Sequence, residues 1–127
     1  MTAPAPHLRD RYLQDSINTA SPAKLLVMLY DRMILDLNQG EEALRAADRA
    51  LANDKISHAQ EILIELRTTL HVDEWEGAPG LANLYGYILT ELIGATIAGD
   101  PDRVATCRKF LEPLRDAWRE AAAAAAG

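Results

Sequence analysis

The tightest constraint on the fold of this chain lies in residues 18–37. Ser21 followed by Pro22 marks a helix start: a hydroxyl able to cap free N–H groups, then a residue with no N–H to cap. Projected at about 100° per residue, Leu26, Leu29, Met33 and Leu37 form one stripe, continued by Leu44, Ala47 and Leu51. Val27 and Ile34 fall well to one side of it, and Met28 and Leu35 fall nearly opposite. A helix that is apolar on every side must be covered on every side. One bundle face accounts for the first set only, so another part of the chain, or a partner, should cover the second.

The 127 residues suffice for one domain with a core that needs no staples. A net charge of −6, with Arg and Lys scattered, argues against a binder of nucleic acid or of an anionic membrane. Cys107 is the single cysteine and stands in an apolar stripe, where it reads as a small core residue. The Met-Thr-Ala-Pro-Ala-Pro-His start has neither the charge nor the apolar run of a signal peptide, so a cytoplasmic location is expected.

Residues 1–11 are expected to be disordered at least over their Pro/Ala-rich start, and a short amphipathic stretch carries Tyr12, Leu13 and Ile17. The first long helix is predicted from Ser21 to about Ala52, softened at Gly40 and broken by Asn53-Asp54. A second, over about 55–72, shows Ile56, Ala59, Leu63, Leu66 and Leu70 at spacings of three and four. Residues 73–80 read as a loop. A third helix covers about 80–98, and Asp100-Pro101 opens a fourth, kinked at Pro113. Residues 121–127 are an alanine-rich tail. No run alternates with period two. The expected fold is all-α: an antiparallel up-down four-helix bundle over residues 12–120, with the short N-terminal segment docked on it.

The third helix is long and apolar, with Glu91 its sole charge between Ala78 and Gly99. A membrane span is rejected, because a carboxylate near its centre would cost about 2.5–3.5 kcal/mol and the flanks are acidic. A buried helix is expected. Its second apolar side, with Ala82, Gly86, Ile93 and Ile97, has two readings: close packing within the domain or a homodimer, or a groove for a partner segment.

Enzyme chemistry finds no footing. None of His7, His58 and His71 follows a Glu by three residues, as a di-iron bundle requires. His71 with Asp73, Glu74 and Glu76 reads as a solvated acidic loop rather than a metal site. No nucleophile elbow or phosphate-cradling glycine loop is present, and no cofactor is expected.

The run Thr19-Ala-Ser-Pro-Ala-Lys-Leu-Leu-Val-Met-Leu-Tyr-Asp31, preceded by Tyr12 and Ile17, resembles the signature of the flagellar-export chaperone family, FliS. Leu84-Tyr85-Gly86-Tyr87 and Leu114-Arg115-Asp116-Ala117-Trp118 resemble two shorter motifs of that family, in the right order and spacing. Arg32 stands where the family has a small glycine; Gly80 and Pro113 also depart from its pattern. The resemblance implies a cytoplasmic bundle, monomer or homodimer, that binds the disordered C-terminal segment of flagellin and prevents premature polymerisation. It would present its cargo to components of the flagellar type III export apparatus. Together with the second apolar faces it points to Tyr12, Ile17, Val27, Met28, Tyr30, Ile34, Tyr85, Tyr87, Ile93 and Ile97 as the binding set. The alternative is a self-associating structural bundle with no flagellin role.

Overall fold

A computed structural model describes residues 21–71, 73 and 75–126. They form four helices: α1 (Pro22–Arg45), α2 (Arg49–Thr69), α3 (Ala78–Ala98) and α4 (Pro101–Ala126). Tyr12, Ile17 and the amphipathic stretch around them lie outside the described residues.

Helix α1 begins as its sequence dictates. Ser21 is extended at φ −62°, ψ 157°, its Oγ accepts from the Lys24 N–H at 3.2 Å, and Pro22 opens the first turn. Its end differs from expectation. The helix stops at Arg45, not near Ala52, and Asn53-Asp54 lies inside α2. The cause is a Schellman turn. Ala47 adopts φ 59°, its N–H reaches the Leu44 carbonyl at 3.1 Å, and the Asp48 N–H reaches the Ala43 carbonyl at 2.8 Å. Asp48 then starts α2, its carboxylate accepting from the Leu51 N–H at 3.1 Å. One residue closes one helix and opens the next, so Ala47 and Leu51 leave the α1 stripe and are exposed. A left-handed conformation costs an L-residue about 1–2 kcal/mol. Part of that returns when glycine, with its larger unfolded-state entropy, takes the place. Ala47→Gly should therefore raise stability by about 0.5–1 kcal/mol, read as a higher urea midpoint.

The turn between α3 and α4 repeats this geometry with the residue best suited to it. Gly99 sits at φ 65°, and the Asp100 N–H bonds to the Ala95 carbonyl at 2.9 Å. Asp100 Oδ1 accepts from the N–H groups of Asp102 and Arg103, with Pro101 between. Helix α4 runs through Pro113 to Ala126.

Met33, Leu37, Ile56, Leu63, Ile88, Leu92, Val104, Cys107 and Leu111 fill the centre. Gly40 is a crossing point rather than a soft spot: a Cβ there would stand 2.7 Å from Ile56 Cγ1, so its absence lets α1 and α2 approach. Helix α1 packs closely along both α2 and α4, whereas α3 meets the same two helices more sparingly. The α1–α4 seam is tied by ion pairs, with Arg108 joining Glu41 and Glu112, Arg45 joining Glu41 and Asp102, and Arg115 and Arg119 holding Asp31.

This arrangement corrects the expectation of a buried third helix. By length and composition α3 could cross a membrane, yet here it is one wall of a bundle. Ala78, Leu81, Tyr85, Ile88, Leu92 and Ala95 alone are buried along it, a single stripe, and Glu91 pairs with Arg103 of α4 at 2.8 Å.

Candidate functional site

The residues singled out in the sequence separate into three groups. Tyr30, Ile34 and Tyr85 are core. Ile34 turns toward the side on which α4 packs, so what reads as a second face of α1 is partly an internal one. Tyr30 and Tyr85 meet across the bundle, hydroxyl to hydroxyl at 2.5 Å. Burial, more than anything else, raises the pKa of each; for Tyr30 the hydrogen bond with Tyr85 offsets part of it, and for Tyr85 the neighbouring Tyr30 adds to it. Both stay protonated and neutral. Tyr85→Phe would leave the Tyr30 hydroxyl buried without that partner, at a cost of about 1–3 kcal/mol, and Tyr30→Phe/Tyr85→Phe should cost less than the single change. Urea unfolding of the three variants reads the difference.

The second group is open to solvent. Met28 is 41% exposed on α1, where Leu35 accompanies it two turns on, while on α3 Tyr87, Ile93 and Ile97 are 51%, 52% and 76% exposed. Met28 and Leu35 stand opposite the stripe of Met33 and Leu37, and Ile97 stands opposite that of Ile88 and Leu92. Both stripes face one core, and α1 and α3 are the diagonal pair of the bundle. Their outer faces therefore point away from each other. Tyr87 lies to one flank of α3, edge-on to Phe110 of α4 with ring centroids 6.1 Å apart.

Val27 is half-buried in a hollow of about 330 Å³ between the start of α1 and the end of α4, with Lys24, Arg119, Ala122 and Ala123.

A third feature lies at the end of the bundle where α1 begins and α2 finishes. An apolar cleft of about 510 Å³ opens there between Pro22, Leu26, Leu66, Leu70, Leu81 and the rings of Trp75, Tyr85 and Trp118. Sequence reasoning missed it. Trp75 falls in a stretch rich in Asp, Glu, Gly and Pro and reads as solvated loop, and Trp118 reads as core, whereas it is half-buried with its ring edge-on to Trp75 at 6.5 Å. The available signal was the indole itself: a ring that large, outside any helical stripe, needs a surface to rest on.

None of these features carries reactive chemistry. The Cys107 thiol is pushed up to about 11, by burial first and by the Glu91 carboxylate second, and is no nucleophile near neutral pH. What the arrangement offers is apolar surface, on two opposite sides and at one end.

The sequence matches the family model for the flagellar protein FliS over residues 5–125. It is similar to the flagellar secretion chaperone FliS of Bacillus subtilis, 31% identical over 110 residues that cover 87% of this chain and 82% of that protein. The chaperone of the same description from Vibrio cholerae is 24% identical over 107 residues, covering 84% and 79%. In fold it resembles a solved structure described as a flagellar chaperone from bacteria, with a TM-score of 0.73 at 24% identity, covering 93% of this chain and 97% of that one.

Proposed function

The chain belongs to the FliS family of flagellar proteins, and from that premise we propose that it is a cytoplasmic chaperone that holds the C-terminal segment of flagellin before export. The observation that supports this reading is that exposed apolar residues stand on opposite sides of the bundle, Met28 and Leu35 on one and Ile93 and Ile97 on the other, with Leu51 and Ile64 of α2 and Phe110 of α4 exposed as well. A compact partner, or a second copy in one two-fold contact, would cover one side and leave the other wet. A long unfolded segment can pass around the bundle and cover both.

The energetics fit a reversible carrier. Ordering a disordered segment costs about 2–5 kcal/mol, while each Leu or Ile it buries contributes about 1.5–3 kcal/mol. A few such contacts leave net binding after association costs without locking the cargo in place. Bound in this way, the segment's apolar residues are hidden from other flagellin copies, which prevents premature assembly. The complex would then be handed to the type III export apparatus.

Calorimetry with a peptide of the cognate flagellin C-terminus tests the reading. Binding in the micromolar range or tighter, with a negative heat-capacity change, is expected. Absence of heat with folded protein would reject it. Light scattering separates the self-associating alternative: a dimer built on α3 should dissociate on Ile93→Asp, whereas a chaperone keeps its mass and loses peptide affinity.

A further inference from the structure

Four exposed residues in the first half of α1 follow one another along its outer side: Lys24, Met28, Arg32 and Leu35, at spacings of four, four and three. Residues so spaced share one face of a helix and form a ridge along it. On this ridge a cation and an apolar side chain alternate, turn by turn. We propose that the ridge seats an acidic amphipathic helix formed by the bound segment, with a carboxylate and an apolar residue alternating one turn apart, and that Lys24 and Arg32 select it. The inference rests on the chaperone reading and adds to it the chemistry by which the cargo is chosen on the α1 side.

The charge here is local. The chain as a whole carries −6, yet the carboxylates beside the ridge on α1 are already engaged. Asp31 is held by Arg115 and Arg119 on the α4 side. Asp36 is wholly buried, with one oxygen bonded to His58. Arg32 reaches its other oxygen only through Nε, at 3.4 Å and poorly aimed, and the Arg32 side chain is 54% exposed. Neither Arg32 nor Lys24 makes any other ion pair among the described residues. The two Nη groups of Arg32, a planar fork that matches a carboxylate, are thereby left for a partner. The next acid along the ridge is Glu42, two turns beyond Leu35, and it ends the basic stretch.

The helical form of the occupant follows from the surface it meets. The middle of α1 offers no free backbone N–H or C=O to an extended strand, since its own are bonded along the helix. A segment laid on Met28 and Leu35 loses water from its own peptide groups and keeps them paired by coiling. Residues four apart on it then advance about 6 Å, the same step that separates Lys24, Met28 and Arg32. Its apolar residues cover Met28 and Leu35, and its carboxylates fall beside the two cations.

Calorimetry with the cognate flagellin C-terminal peptide tests the assignment. Lys24→Glu places a carboxylate in the first turn of α1, where a helix favours one, so the fold is not at risk. With Arg32→Gln added, peptide affinity should fall about tenfold at about 0.1 M salt. At about 1 M the loss should shrink to about threefold or less, because screening then acts over about 3 Å rather than about 10 Å. Replacing a seated Asp or Glu of the peptide with Lys should weaken binding to the unaltered chain and restore it to Lys24→Glu. Lys109→Glu, the same charge change at an exposed position of α4, should leave affinity within about twofold. Undiminished affinity of Lys24→Glu/Arg32→Gln, or an equal loss on Lys109→Glu, overturns the ridge and leaves the chaperone reading standing. No heat with the unaltered chain removes both. A fall in the mass of the free protein on the double change gives the ridge to a second copy, and also overturns the proposal.

Discussion

His58→Ala should lower stability by about 3 kcal/mol, more than any other single truncation of a half-exposed side chain in this protein. The reason lies across the α1–α2 contact. Asp36 of α1 is wholly buried, the one charged residue of the described core, and its Oδ2 is bonded to His58 Nδ1 of α2. Its other oxygen has Arg32 Nε at 3.4 Å, an ion pair too poorly aimed to be a hydrogen bond. Removing one partner of a buried pair costs about 3–5 kcal/mol, because the remaining charge stays in a poor solvent. The lower end applies here, since the His58 side chain is 44% exposed and its loss lets water toward the carboxylate. The reverse deletion is asymmetric. Asp36→Leu leaves His58 half in water, where an unpaired imidazole loses little, so its cost should stay near 1 kcal/mol or below, as for a well-packed apolar replacement. The double variant Asp36→Leu/His58→Leu should recover most of what His58→Ala loses. Urea midpoints of the three variants decide it, and equal losses for His58→Ala and Asp36→Leu would refute the asymmetry.

This pair also marks the limit of what the sequence discloses. The stripe at spacings of three and four in α2 placed its buried residues well: Ile56, Ala59, Leu63 and Leu66 are core, while Leu70 at its end is half-buried, and Cys107 of α4 is core as read. That Asp36 meets His58 is a fact of tertiary register, 22 residues apart, with no local pattern to announce it. Arg32, a departure from the family's small residue, takes its place one turn before Asp36 as part of the same cluster. The break after α1 was misplaced because Asn53-Asp54 is a strong composition signal, whereas a left-handed alanine at position 47 is not one. On α1, apolar positions on every side did mean more than one covered face, but Ile34 is buried and Tyr30 meets Tyr85 of α3, so part of that surplus is internal. Met28 and Leu35 are the part that is not, as Ile93 and Ile97 are on α3. Trp75 was legible as a ring in a loop, but the cleft beneath it depends on how α1, α2, α3 and α4 end together.

The outward faces lead to the largest functional effect. Ile93→Asp and Met28→Asp should each weaken binding of the flagellin C-terminal peptide by roughly 30-fold to 100-fold, and together abolish detectable heat. Each replaces a side chain whose burial is worth about 1.5–3 kcal/mol with a carboxylate that resists desolvation. Since 1.4 kcal/mol is a factor of ten, about 2–3 kcal/mol per face gives this range. The positions lie on helices diagonal to each other that pack on each other hardly at all, so their effects should add within about 0.5 kcal/mol. Both side chains are already substantially in water, which keeps the change in folding stability within about 0.5 kcal/mol. The pattern separates two modes of capture. A segment that rests on one side makes one of the two variants silent. A segment that passes around the bundle makes both costly and additive, and Ile97→Asp, one turn beyond Ile93, should repeat the effect of its neighbour. Calorimetric affinities for the two single variants and the double, with melting curves to establish that each is folded, distinguish these outcomes.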